Sequence, residues 1–491
     1  MAIATLVKTI QDIMRKDVGV DGDAQRISQI VWLLFLKIFD DREQEWEFTI
    51  SGYKSPLSER FRWANWAKNP EGMTGEDDLL PFVNNELFPE LKKLATVTGV
   101  SPQGRVVGKV FEDAYNYMKS GTLLRQVINC IEKDLDFNSS SDLHLFNDIY
   151  EKILADLQSA GNAGEYYTPR AVTQFMVDML DPRLGEKILD PACGTGGFLV
   201  NVIEHLQTQE KTAEDKNFLR ENVRGVEKKP LPFMLAMTNL MLHGIDVPNI
   251  SHDNTLSRPL ISYTPKDRVD VIITNPPFGG MEEDGIESNF LKKYQTRETA
   301  DLFMALIMHL LKANTGRAAV VLPDGFLFGE GVKTTLKQEL LEGFNLHTIV
   351  RLPKGVFSPY TGINTNILFF EKGGTTEDVW FFEHPYPEGY KAYSRTRPLT
   401  IAEFDREKAW WGGATREGRK VNECAWKVSA AEIAARNYNL DCKNPHEVLV
   451  NHGEPDELMV EYLAIAQHMR DAQNALKQEL IEALQQTSGG S

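Results

Sequence analysis

Ile188-Leu189-Asp190-Pro191-Ala192-Cys193-Gly194-Thr195-Gly196-Gly197-Phe198 reads as a short apolar strand that enters a glycine-rich turn and leaves it as a helix. Glycines let a backbone pass close to a ligand and take up dihedrals that other residues resist. The spacing is not GxGxxG, so the dinucleotide fingerprint is not met. A phosphate loop is also a poor fit, because Asp190 before the turn would repel the ligand. An acidic strand end suits a cofactor with a positive centre or an amine. Farther on, Val223-Arg224-Gly225-Val226-Glu227 reads as the next strand and ends in a carboxylate. Ribose hydroxyls are the usual partners of an acid at that place in a doubly wound sheet. Strands are predicted at 187–190, 223–227, 270–274, 317–322, 346–352 and 364–371, alternating with helices. That alternation indicates an α/β class with a mostly parallel sheet covered on both faces.

The third of those strands, Asp270-Val271-Ile272-Ile273-Thr274, runs into Asn275-Pro276-Pro277-Phe278. Proline removes a backbone N–H and fixes φ, so neither strand nor helix continues through this point. Residues before proline are pushed out of the right-handed helical region, which stiffens the turn. The result places an amide, a rigid turn and an exposed ring at one spot. The planar amino group of a base could hydrogen-bond to the Asn275 side-chain oxygen and the Pro276 carbonyl while Phe278 stacks on the ring. Such a clamp suits chemistry on a flipped-out base. An ordinary strand-ending turn is the bland alternative for this motif on its own.

Together, DPACGTGG, GVE and NPPF resemble the S-adenosylmethionine-dependent N6-adenine DNA methyltransferases. The order, cofactor motif before NPPF, matches the subgroup with a further motif ahead of the cofactor strand, present here as Gly164-Glu165-Tyr166-Tyr167-Thr168-Pro169-Arg170. More narrowly, the chain resembles the modification subunits of type I restriction–modification systems. The likeness extends over the helical start, Asp148-Ile149-Tyr150-Glu151, Arg351-Leu352-Pro353 and Asn364-Thr365-Asn366-Ile367-Leu368-Phe369-Phe370. It implies a seven-stranded methyltransferase sheet and S-adenosyl-L-methionine as cofactor. It implies Glu165, Tyr166, Tyr167, Thr168, Pro169 and Arg170 around the methionine end, with Asp190, Ala192, Gly194, Thr195, Gly196 and Gly197 forming the turn. Glu227 is expected on the ribose, and Asp253 or Asn254 near the cofactor adenine, with the choice between them open. Asn275, Pro276, Pro277 and Phe278 are expected to hold the target adenine. The partners implied are double-stranded DNA, a specificity subunit, a second copy of this chain and a restriction (motor–nuclease) subunit.

At 491 residues the chain has room for about two or three domains. The expected layout is a helical N-terminal domain (1–160), a catalytic domain (161–375), a mixed extension (376–450), and a coiled-coil-like helix with a flexible tail (451–491). Within the first, Ile27, Ile30, Val31, Leu34 and Ile38 mark a helix that is apolar on nearly all sides and therefore buried. Further helices are predicted at 123–135 and 143–157, with a linker over 159–164. In the last, Leu458, Tyr462, Ile465, Met469, Ala472 and Leu476 make a heptad seam, which usually packs on another helix. A helix of the specificity subunit is the favoured partner. The polar stretch 279–299 after NPPF reads either as a mobile lid or as a surface insertion without order.

The net charge of −17 is awkward for a DNA enzyme. Phosphate neutralisation needs clustered Lys and Arg. Candidates are Lys228-Lys229, or Arg351 with Lys354; the simpler inference is that a more basic subunit supplies much of the grip. After the last expected strand about 120 residues remain, partly helix, which leaves little room for a recognition domain of roughly 100–150 residues. Cys130, Cys193, Cys424 and Cys442 are scattered without ligand spacing, and His243 and His252 stand alone. The reading is a cytoplasmic protein with reduced thiols and no metal. The longest apolar run is far too short for a bilayer. Rival readings are a protein or RNA amine methyltransferase, a self-sufficient DNA methyltransferase, and a catalytically inert scaffold.

Overall fold

The computed structural model describes residues 3–135, 167–358, 361–394, 396–446 and 455–488. The predicted helix at 143–157, the linker over 159–164, the 148–151 motif, Glu165 and Tyr166 therefore lie outside the described residues. By backbone contacts the chain forms two units, Met1–Asn444 and Pro445–Ser491.

The first unit is built on one sheet of nine strands: β1 (Ile188–Asp190), β2 (Val223–Glu227), β3 (Asn249–His252), β4 (Val271–Thr274), β5 (Arg317–Pro323), β6 (Asn345–Leu352), β7 (Thr365–Glu371), β8 (Asp378–Glu383) and β9 (Ala425–Ser429). Their spatial order is β3-β2-β1-β4-β5-β7-β6-β8-β9. The first seven in that order form the expected methyltransferase sheet, parallel except for β7, which runs antiparallel to both β5 and β6. Seven strands is nevertheless an undercount. The stretch taken as a mixed extension adds β8, parallel to β6, and β9, antiparallel to β8. The reason is physical: β6 would otherwise be an exposed edge, and pairing satisfies its backbone groups.

β1 and β4 are buried at every residue. Strands covered on both faces read as continuous apolar runs, which is why these two were legible. Chain order reverses between β1 and β4, so the loops leaving these strands diverge and open a crevice at the carboxyl edge.

Two apolar cores flank the sheet. One contains Phe198, Val202, Phe233 and Met237 and is continuous with the helical start of the chain through Trp32, Phe35 and Phe111. The other packs Leu302, Leu306, Leu336, Phe370, Phe381 and Trp426. The helix Asp23–Thr49 buries residues on all sides, as its sequence requires, with Trp32 edge-on to Phe88 at 5.1 Å.

Residues 279–299 pack against the rest of the unit. Met281 and Glu298 form an antiparallel bridge, and Phe290 and Tyr294 are each 5% exposed within the second core. In the other unit, residues Pro455–Ser488 form one helix, along which Tyr462, Ile465, Met469 and Leu476 are exposed.

Candidate active site

The carboxyl ends of β3, β2, β1 and β4 lie side by side, and each carries a residue singled out from sequence. Asp190 closes β1 and is fully buried. Its Oδ1 accepts the Ala192 N–H at 3.1 Å, so it shapes the turn through the backbone. Burial pushes its carboxyl up to about 7, against the opposing effect of the Thr274 hydroxyl and the Ala192 amide, while the nearby Glu227 charge adds to the rise.

The turn itself needs its glycines. Gly194 and Gly196 have φ of 54° and 80°. A Cβ on Gly196 would stand 3.0 Å from Leu240 Cδ1, because the helix Pro230–Leu242 packs against it. On Gly194 or Gly197 a Cβ would meet nothing within 4 Å, so the turn has open space above it. The helix Gly197–Gln207 starts there and turns its N-terminal N–H groups towards the turn. Glu227, at the end of β2, accepts the Gly194 N–H at 2.9 Å and the Lys229 N–H at 2.7 Å. One carboxylate thus ties two strand-end loops together.

At the end of β3 the structure separates two neighbours. Asn254 is committed: its Oδ1 accepts the Leu256 N–H at 3.0 Å and its Nδ2 donates to Glu282 at 3.3 Å. Asp253 is exposed, and its Oδ1 accepts the N–H of Asn254. Cys193 is buried beneath Gly225, where a Cβ would come within 2.9 Å of its Sγ, and burial pushes its thiol well up. That is a packing residue.

Asn275 follows β4. Its Nδ2 donates to Thr168 Oγ1 at 2.8 Å across 107 residues of sequence. Its Oδ1 is buried and, among the described residues, accepts no hydrogen bond. Thr168 and Pro169 lead into the helix Arg170–Leu180, with Pro169 as its N-cap residue and Tyr167 half-buried just before. The expected exposed ring at Phe278 is corrected: it is 3% exposed, and it meets Phe357 edge-on with ring centroids 6.3 Å apart. Local sequence exposes whatever follows a turn; here the segment after β6 folds over it. Pro276 is buried and Pro277 half-buried.

Two participants escaped the sequence reading. Phe357 lies between Arg351-Leu352-Pro353 and the Asn364–Phe370 stretch, in neither of the motifs that carry the likeness, and its aromatic character is the available signal. Glu282 had none. This carboxylate is 9% exposed, accepts Lys228 Nζ at 3.2 Å, Asn254 Nδ2 at 3.3 Å and Thr299 Oγ1 at 3.3 Å, and binds three loops of the site. One cation of each suggested patch is internally paired. Lys228 lies with Glu282 and Glu283, and Arg351 with Asp441 at 2.8 Å. A cavity of about 390 Å³ lies farther along the edge, by Asp324, Arg351, Asn366, Glu383 and His384. Its walls already bond one another, as Asn366 Nδ2 does to Asp324 at 2.7 Å.

The model of the N-6 DNA Methylase family matches residues 141–452. The chain belongs to this family. The HsdM N-terminal domain model matches residues 3–131. The N-6 DNA methylase described here is 57% identical over 495 residues to the EcoEI type I restriction enzyme methylase subunit of Escherichia coli, with 100% of both chains covered. It resembles a modification subunit assigned to a type I restriction enzyme from Vibrio vulnificus YJ016, with 44% identity, a TM-score of 0.82, and 92% and 98% of the two chains covered. A chain solved in work on complex assembly and conformational transition of the type I R-M system is 34% identical with a TM-score of 0.78, covering 98% of each. The protein is thus an adenine-N6 DNA methyltransferase, the modification subunit of a type I restriction–modification system. Among the described residues no helix is long and apolar enough to cross a membrane, and no cluster of side chains could hold a metal ion.

Proposed function

We propose that this subunit transfers a methyl group from S-adenosyl-L-methionine to N6 of an adenine flipped out of DNA, at sites chosen by a separate specificity subunit. The observation that carries the reading is Asn275: one end of its amide is held by Thr168 while the buried acceptor at the other end has no partner among the described residues. A buried polar atom left unmet is costly, and at the turn that ends β4 an incoming donor accounts for it.

The residues present suit the cofactor. Open space lies above Gly194 and Gly197, a helix N-terminus faces it, and carboxylates stand at the ends of β1 and β2. Tyr167 to Arg170, with Glu165 and Tyr166 before them, would hold the methionine end together with Asp190, Ala192 and the Thr195-Gly196-Gly197 turn. Glu227 would accept the ribose hydroxyls, and Asp253, the exposed member of its pair, the adenine amine. When bound, the cofactor supplies a methyl group on a cationic sulfur that leaves neutral. Little acid–base machinery is therefore required of the chain.

The difficulty is the nucleophile, because an adenine amine donates its lone pair into the ring. Asn275 Oδ1 and the Pro276 carbonyl would accept its two hydrogens, favouring a pyramidal nitrogen whose lone pair points away from the ring. Phe278 would stack on the base, with Phe357 as the other apolar wall; stacking of this kind is worth about 1–3 kcal/mol per base. The chemistry is positioning and electrostatic stabilisation, without a covalent intermediate on the protein.

An acidic chain in which Lys228 and Arg351 are already paired internally makes a poor general DNA grip, which supports recognition by a partner. The exposed seam on Pro455–Ser488 suits a helix of the specificity subunit. Two copies of this chain with optional motor–nuclease subunits, working in the cytoplasm, complete the reading. Deletion of 455–491 is expected to leave cofactor binding intact and to abolish co-purification with the specificity subunit; retained co-purification would sink that assignment. The reaction is tested by methylation-sensitive sequencing of DNA from cells carrying this chain with its specificity subunit, against cells carrying Asn275→Ala. N6-methyladenine at a two-part motif that vanishes in the variant is the expected result. No adenine mark where the complex forms would reject it.

A further inference from the structure

We infer that Thr168 is a positioning residue for Asn275, holding the donor end of its amide so that the acceptor end is the one the base meets. The inference rests on the reading of Asn275 as acceptor of the adenine amine.

The two ends of an asparagine amide have nearly the same shape and opposite hydrogen-bonding character. Presented the wrong way round, Asn275 would set an NH₂ donor against the NH₂ donor of adenine. The surroundings are closely packed: Asn275 Oδ1 is buried, and Phe278 and Phe357 are 3% and 2% exposed. In such surroundings an unmet NH₂ is costly, and the amide turns to wherever its donors find a partner. Thr168 Oγ1 is that partner, at 2.8 Å. A hydroxyl can give or take, so Thr168 alone would tolerate either orientation. Once a base amine is present only one orientation satisfies all three groups, because Nδ2 then donates to Thr168 and Oδ1 accepts from the base.

Both members of the pair are held firmly. Each precedes a proline, Pro169 or Pro276, which restricts its backbone. Asn275 follows an interior strand of the sheet. Thr168 is 8% exposed and leads into the helix Arg170–Leu180, which is anchored by Phe175 stacked on Phe404 at 4.2 Å and by Asn201 Nδ2 donating to Thr173 Oγ1 at 2.7 Å. Since Thr168 belongs to the segment expected at the methionine end of the cofactor, the contact also joins the cofactor side of the crevice to the base side.

The test uses the full subunit in complex with its specificity subunit. Thr168→Val keeps the shape and removes the acceptor. At saturating S-adenosylmethionine it is expected to lower kcat between about fivefold and a hundredfold, the cost of one unmet buried donor. Thr168→Ser restores the hydroxyl and is expected to recover most of the rate. The inference is overturned if, at saturating cofactor, Thr168→Val turns over like the parent, or if Ser fails to rescue. If Asn275→Ala itself retains turnover, the acceptor reading fails instead.

Discussion

Two strand ends of the same sheet, β2 at Glu227 and β4 at Asn275, handle their polar side chains in opposite ways. Both oxygens of Glu227 already accept backbone N–H groups, from Gly194 and Lys229. Asn275 has its donor end held and its acceptor end unmet. The first is a finished structure that shapes the cofactor turn before any ligand arrives. The second stores an unmade hydrogen bond that only an incoming donor completes. The contrast assigns them different kinetic parameters: strand β2 should govern cofactor affinity, and strand β4 the rate of the chemical step.

The largest effect should come from Asn275→Ala. Loss of a preorganised acceptor at the reacting nitrogen is expected to lower kcat on the order of 10²–10³-fold, with cofactor affinity by calorimetry close to unchanged. A rise in cofactor Kd matching the fall in kcat would erase the distinction between the two ends. Glu227→Ala should act the other way, weakening S-adenosylmethionine binding roughly ten- to a hundredfold, because two backbone donors and the ribose lose a charged acceptor. At saturating cofactor its kcat should largely recover. Phe278→Leu removes a stacking face and should raise the KM for DNA by about tenfold or somewhat more, read alongside weaker base extrusion in fluorescence of a 2-aminopurine target.

The smallest effect is a pH dependence at Asp190. Its carboxyl is raised by burial to about 7. Without ligand, such a raised group contributes stability in acid that is lost as pH rises towards about 7. A cationic cofactor favours the carboxylate, so affinity should climb as pH rises towards about 7 and level off above it. Asp190→Asn should flatten that rise, and a parent enzyme with no rise would remove Asp190 from the cofactor's electrostatics.

Much of the sheet was readable because β1 and β4 are unbroken apolar runs ending in chemically distinctive residues. β3 was not, since among Asn249, Ile250, Ser251 and His252 only Ile250 is buried. An edge strand with one buried side chain leaves no periodic signal. β8 and β9 contain apolar residues, yet a long irregular stretch separates them, and only the open side of β6 decides that they join this sheet.

The chain's sequence by itself determined the chemistry standing at each strand end: Asp190 before a glycine turn, Glu227 closing the next strand, and Asn275 locked by two prolines. These follow from backbone sterics and local spacing, which act over a few residues. Tertiary structure alone decided that Thr168 holds the Asn275 amide, that Phe357 covers Phe278, and that Glu282 joins the loops after β2 and β3 to the arm after β4. Each of these contacts joins segments far apart in the chain. Their geometry is set by how the helices and strands pack, which no local pattern encodes.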